Sequence, residues 1–279
     1  MKFKLFLTVL AVGLVGQACN VEVPDGEGVA ESGSRFDRIL AGEHRSEANR
    51  TRDRYRHPEE TLEFFGLTED MHVVEIWPAA GWYTEVIAPY VNEKGKYYAA
   101  HWDPESNVKF IQRGARAYQD KLAAYPDLYG TAEMTVLMPP DHLEIAPPES
   151  VDLVVTFRNI HNWMPRGSAG DIFSAIYRAL KLGGVLGVVE HRGNPAVSQD
   201  PNAASGYVNQ DYAIEMAERA GFVLDATSEI NANPKDTKDY EPGVWTLPPT
   251  LRLQEEDKDK YLAIGESDRF TLRFVKPAA

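Results

Sequence analysis

Cysteine is almost missing from this 279-residue chain. Cys19 is the only one, so no disulfide forms within the chain. A membrane-spanning stretch is missing too, because the apolar run at residues 5–15 is too short to cross a bilayer as a helix. Positive charge is scarce: 29 Lys and Arg stand against 42 Asp and Glu, for a net charge of −13. Such a surface repels nucleic-acid phosphates and anionic lipid heads, so no nucleic-acid partner is expected. The length suits one domain.

What is there begins with a leader. Lys2 and Lys4 precede the apolar run, and Gly16-Gln17-Ala18 closes it, the pattern of a secretory signal peptide over residues 1–18. Cys19 directly after the expected cut resembles a bacterial lipoprotein. That resemblance implies an exported, periplasmic chain whose only membrane contact is a lipid on Cys19. Gly16 stands where that pattern prefers a larger apolar residue, and a plain signal peptide beside a chance cysteine remains the alternative. The following residues are rich in Gly, Glu, Ser and Val with little to bury, which reads as a flexible tether over 19–40 before a domain over 41–279.

Five arginines, Arg45, Arg50, Arg52, Arg54 and Arg56, crowd into residues 43–58. One reading is a solvated helix laced with ion pairs such as Glu47 with Arg50. The other is a helix laid across a site, offering arginine to an anionic ligand. Pro58 with Glu59 and Glu60 then opens a helix that Gly66 closes.

The central stretch is Val73-Val74-Glu75-Ile76-Trp77-Pro78-Ala79-Ala80-Gly81-Trp82-Tyr83-Thr84. A short apolar run breaks at Pro78 and resumes with helical spacing from Tyr83, so a strand, a small-residue turn and a helix follow one another. Further strands are expected at residues 95–105, 135–138, 151–157, 185–190, 222–226 and 270–275, with helices at 108–124, 172–180 and 213–220. This order, with its ALKLGGVLGVVEH turn, resembles the class I S-adenosylmethionine-dependent methyltransferases over roughly residues 58–221. The resemblance implies a doubly wound, Rossmann-like α/β sheet of the class I methyltransferase type with a helical N-terminal extension. It also implies S-adenosylmethionine as cofactor. The family's three loop glycines fall at Trp77, Ala79 and Gly81, so two of the three are replaced.

The same resemblance assigns cofactor contacts to Glu75, Ala79, Gly81 and Tyr83 around the first loop. It adds His101 and Asp103 at the end of the second strand, Asp141 on the adenine side, and Arg158 and Asn159 after the fourth strand. Residues 158–163 match the NxHxW loop of small-molecule methyltransferases at Asn159, His161 and Trp163. His161 would take a proton from an attacking hydroxyl or thiol; capping or packing under Trp163 is the plainer alternative. His101, Asp103, His161, Glu190 and His191 fall at one rim, enough imidazole and carboxylate for a divalent metal, although no ligand set is assigned. The long polar stretch over 231–262 is either a lid or a surface insertion. The function expected is methyl transfer to a small-molecule acceptor. The alternative is an exported binding or metal-dependent protein that keeps the fold.

Overall fold

The computed structural model describes residues 33–278. The leader, Cys19 and the start of the expected tether lie outside the described residues. Seven strands form one sheet: β1 (His72–Ile76), β2 (Lys96–His101), β3 (Glu133–Val136), β4 (Val151–Phe157), β5 (Leu180–His191), β6 (Val223–Ser228) and β7 (Arg269–Val275). They run in the order β3-β2-β1-β4-β5-β7-β6. The first five are parallel, and β7 is antiparallel to both β5 and β6. This is the doubly wound sheet implied by the resemblance.

Each central strand is a nearly unbroken apolar run because both faces are covered. On one face Val74, Ile76, Val154 and Leu186 meet the helices Ala169–Ala179 and Gln210–Arg219. On the other, Val73, Leu153 and Val155 meet the helices Arg35–Ala41, Pro58–Phe65 and Thr84–Val91. The strand order reverses between β1 and β4, which opens a crevice at their carboxyl ends. Because β7 is antiparallel, its first residue arrives at that same rim: Arg269 pairs with His191 at the end of β5.

Most boundaries shift by a few residues from the sequence expectation, and three shifts change the reading of an element. The helix Arg35–Ala41 begins within the span 19–40 expected as tether and runs one residue past it. Ser34 caps it reciprocally with Asp37, and Phe36 and Ile39 are buried, so packed chain begins before residue 41. β3 lies two residues earlier than expected, at Glu133–Val136. Leu180 opens β5 by pairing with Val151 instead of ending a helix.

Candidate functional site

The loop after β1 keeps a glycine-like backbone without the glycines. Trp77, Ala79 and Gly81 have φ of 44°, 54° and 76°, the left-handed region that side chains with a Cβ rarely adopt. Two non-glycine residues held there store strain of about 1–3 kcal/mol each, which the surroundings must hold in place. Trp77 is buried and donates its indole N–H to the Leu137 carbonyl at 2.9 Å. Its ring meets Trp102 and Trp163 edge-on. His101, fully buried, clamps the loop from beneath. Its Nε2 lies 3.0 Å from the Ala79 carbonyl, and its Nδ1 accepts the Trp102 N–H at 2.7 Å. Both ring nitrogens are therefore occupied by the protein, and burial lowers the imidazole pKa.

Above this loop lie two adjoining cavities of about 420 and 460 Å³, within the range of small-molecule sites. They share Trp77, Trp102, Phe110 and Arg166. The second is apolar, with Ile111, Met138 and Pro140 in its wall. The first crosses the ends of β1, β4 and β5 beneath Val244, Trp245 and Pro248. Val244, Trp245 and residues 248–250 of the long polar stretch thus form part of its wall.

Of the residues singled out from sequence, Glu75, Ala79, Tyr83, Arg158, Asn159 and His161 line the first cavity. Gly81, His101, Asp103 and Asp141 line neither. A Cβ at Gly81 would meet Tyr118 at 3.0 Å and Thr84 at 3.2 Å, so its open side faces the helix Lys109–Ala124 and not the crevice. Asp103 accepts the Glu105 N–H in a local turn, and Asp141 is exposed beyond the apolar cavity. Glu75 is spent inside the fold: Tyr97 and Thr84 donate to its Oε2 at 2.6 and 2.9 Å. Burial pushes its pKa up to about 7. Asn159 donates to the Ile76 carbonyl at 2.8 Å, tying the end of β4 to the end of β1.

His161 and Glu190 form a buried hydrogen-bonded pair at the rim. The fully buried Glu190 carboxylate accepts the His161 Nδ1–H at 3.0 Å, the His161 main-chain N–H at 3.3 Å and the His191 N–H at 2.8 Å. This fixes the tautomer and leaves the His161 Nε2 lone pair free for other work. His191 lies beside it, ring centroids 5.4 Å apart, with Nδ1 2.6 Å from the Ser267 hydroxyl. Burial, then the charges of His161, Arg158, Arg269 and Arg56, hold the His191 pKa well below its ordinary value.

The arginine-rich segment resolves into two one-turn helices, Glu47–Arg50 and Asp53–Arg56, and its five arginines divide. Arg45 turns inward to Asp53 and stacks on Trp82. Arg50 donates to the Gly42 carbonyl, and no Glu47–Arg50 pair forms among the described residues. Arg52 and Arg56 reach Glu266 at 2.6 and 3.2 Å. Arg45 and Arg56 are buried, whereas Arg50 and Arg54 stay exposed, Arg54 over the Tyr55 ring, so the segment is a solvated face only in part. Trp102, Phe110, Arg166, Trp245, Glu266 and Ser267 line the first cavity without having been singled out as ligand contacts from sequence. The position of Glu266 and Ser267, just ahead of an expected final strand, would have flagged them only had that strand's antiparallel direction been known.

The chain was compared with known proteins. No family model and no curated protein matches it. Solved structures do resemble it. A SAM dependent methyltransferase from Aquifex aeolicus matches with a TM-score of 0.53 at 18% identity, covering 81% of this chain and 93% of that one. Phosphoethanolamine N-methyltransferase 2 of Haemonchus contortus, solved with S-adenosyl-L-methionine, matches with a TM-score of 0.53 at 17% identity, covering 80% of this chain and 53% of that one. The [4+2]-cyclase SpnF matches with a TM-score of 0.52 at 15% identity, covering 80% and 81%. The fold is therefore that of the class I methyltransferases. A cyclase among the neighbours means that shape alone does not fix the reaction.

Proposed function

We propose that the protein transfers a methyl group from S-adenosylmethionine to a small protic acceptor, with His161 taking the acceptor's proton. The observation that carries this reading is the Glu190–His161 pair, which presents a lone-pair nitrogen to a cavity at the strand switch point. The residues fit the cofactor in part. Trp102, Phe110, Ile111 and Met138 would hold a flat base, and of the loop residues Trp77, Pro78 and Ala79 face the cavity. Asp171 is the one carboxylate in the wall of the apolar cavity, so ribose would be held differently from the usual strand-end acid. Bound there, the cofactor supplies an electrophilic methyl group on a sulfonium. His161 Nε2 accepts the proton of an attacking hydroxyl, thiol or amine, and Glu190 stabilises the imidazolium that results. Asn159 keeps the ends of β1 and β4 together beneath the reacting groups. Trp245 covers His161, with ring centroids 6.3 Å apart, and excludes water.

The test is calorimetry with S-adenosylmethionine and S-adenosylhomocysteine on wild type and His161→Ala, joined to a screen for conversion of S-adenosylmethionine to S-adenosylhomocysteine with small thiols, phenols and amines. The variant keeps cofactor affinity and loses about 10²–10⁴-fold in turnover. Wild-type protein that binds neither compound overturns the reading.

A second reading has its own observation. His161, Glu190 and His191 offer ligand atoms within 4.8 Å of one another, a spacing suited to a divalent metal. Against it, Glu190 already accepts three N–H bonds, and Arg158, Arg56 and Arg269 make the surroundings positive. Stoichiometric zinc in protein dialysed against the ion, and lost in His191→Ala, would favour this second reading.

A further inference from the structure

Three guanidinium groups converge on Glu266, which lines the first cavity together with a fourth arginine, Arg158. Glu266 receives Arg52, Arg56 and Arg269 at 2.6, 3.2 and 3.1 Å. One carboxylate cannot satisfy three arginines: Arg52 Nη2, Arg56 Nη1 and Arg269 Nε remain buried without a hydrogen-bond partner. Arg158 is the fourth. It leaves the end of β4 with φ of 61°, is half-buried, and lines the cavity beside Glu266, Ser267 and His191. Among the described residues its guanidinium has no ion pair, since Glu266 is taken by the other three. Nor does Glu190 help, because its oxygens serve His161 and His191. Burial and the neighbouring arginines lower the Arg158 pKa to about 10 despite the attraction of Glu266. An excess of buried positive charge is unfavourable unless an anion joins it. A planar fork facing a cavity is the residue type that receives carboxylate or phosphate through two parallel hydrogen bonds.

We infer that the acceptor is an oxyanion-bearing small molecule, a carboxylate or phosphate ester, whose charged group Arg158 receives beside the His161–His191 pair. The word acceptor rests on the methyl-transfer reading above; the anion site does not. Arg158 lines only the first cavity, away from the apolar wall suited to a nucleoside base, so one end of the acceptor is anchored and its protic end faces His161. The same chemistry has a second source, the carboxylate of the cofactor's own amino-acid end, and the experiment separates the two.

Thermal shift and calorimetry are run in a chloride-poor buffer with inorganic phosphate and acetate as probes, on wild type, Arg158→Gln and Arg158→Lys. Each protein is also titrated with S-adenosylhomocysteine and with 5′-methylthioadenosine, which lacks the carboxylate. The expected result is an anion response in wild type that persists when S-adenosylhomocysteine is saturating. It weakens about 10–100-fold in Arg158→Gln, the loss of a charge-assisted pair, and is partly kept in Arg158→Lys. Without ligand, Arg158→Gln melts no lower than wild type, because it removes an unpaired charge; a purely structural arginine would give a lower melting temperature. No anion response in wild type, or one unchanged in Arg158→Gln, overturns the inference. So does an anion response abolished by S-adenosylhomocysteine together with weakened binding of that compound, but not of 5′-methylthioadenosine, in Arg158→Gln, which assigns the arginine to the cofactor. Should neither adenosine compound bind wild type while the anion response still depends on Arg158, the methyl-transfer reading fails and the anion site stands. The competition in wild type decides between the two sources even if a variant fails to fold.

Discussion

Glu75 and Glu266 are both buried carboxylates next to the first cavity, and their surroundings push them in opposite directions. Glu75 sits among hydroxyls, accepting from Tyr97 and Thr84, with Tyr118 3.0 Å from the Thr84 hydroxyl. Hydroxyls solvate a carboxylate less than water does, so burial wins and the acid titrates near 7. Glu266 is as deeply buried, yet Arg56, Arg269, Arg158 and Arg52 outweigh burial and hold it at about 2. The first region is satisfied by hydroxyl donors. The second is open to the cavity and carries unspent positive charge. Hydroxyl donors satisfy the one carboxylate, while arginines outnumber the other.

The largest expected effect comes from removing the single anion of the charged region. Glu266→Gln leaves four arginines without a carboxylate and lowers stability by about 3–5 kcal/mol, the scale for breaking a buried pair, read from urea unfolding at neutral pH. Its pH dependence has a definite sign. A carboxylate whose folded pKa is depressed from 4.5 to about 2 stabilises the fold above its unfolded value, and that contribution is lost as pH falls from about 5 to 2. Wild type and Glu266→Gln should therefore converge in stability over that window. Parallel curves would mean that the arginines do not depend on Glu266.

Glu75 should behave in the opposite way. Its folded pKa is raised, so the folded chain holds a proton that the unfolded chain has already lost between about 4.5 and 7. Wild type then loses stability relative to Glu75→Gln as pH rises through that window, by about 3 kcal/mol for a shift of this size. Unfolding of both proteins at several pH values in that range checks this, and an unchanged difference would erase the contrast between the two acids.

The smallest effect sharpens the boundary between the regions. Gly81→Ala places a methyl in a left-handed position against Tyr118, which lowers stability by about 1–2 kcal/mol. Ligand affinity should stay as it was, because that side of Gly81 faces away from the crevice. A tenfold loss of S-adenosylhomocysteine affinity in a folded variant would put the ligand on the far side of the loop.

Much of the fold is legible in the sequence. β1, β4 and β5 are apolar runs bounded by turn residues, and their strand character survives any packing that buries both faces. His161 is legible as a group at a strand end. The direction of a side chain is not. His101 ends β2 where a ligand contact is expected, yet a carbonyl from the neighbouring loop claims it. Arg52 and Arg56 look like a solvated charge run until their partner is known. Trp77 reads as a break in a glycine loop, whereas the backbone keeps the left-handed turn and the indole is tucked against Leu137.

The sequence by itself determined the alternation of buried strands and helices, and hence the doubly wound sheet with its crevice beyond β1 and β4, because hydrophobic spacing is a local property of the chain. The tertiary structure alone decided the chemistry of the crevice. Arg56 and Glu266 lie 210 residues apart, and they meet because β7 enters the sheet antiparallel between β5 and β6. That direction brings residues 266–268 to the rim where the parallel strands end, and no local pattern in the sequence records which way the last strand runs.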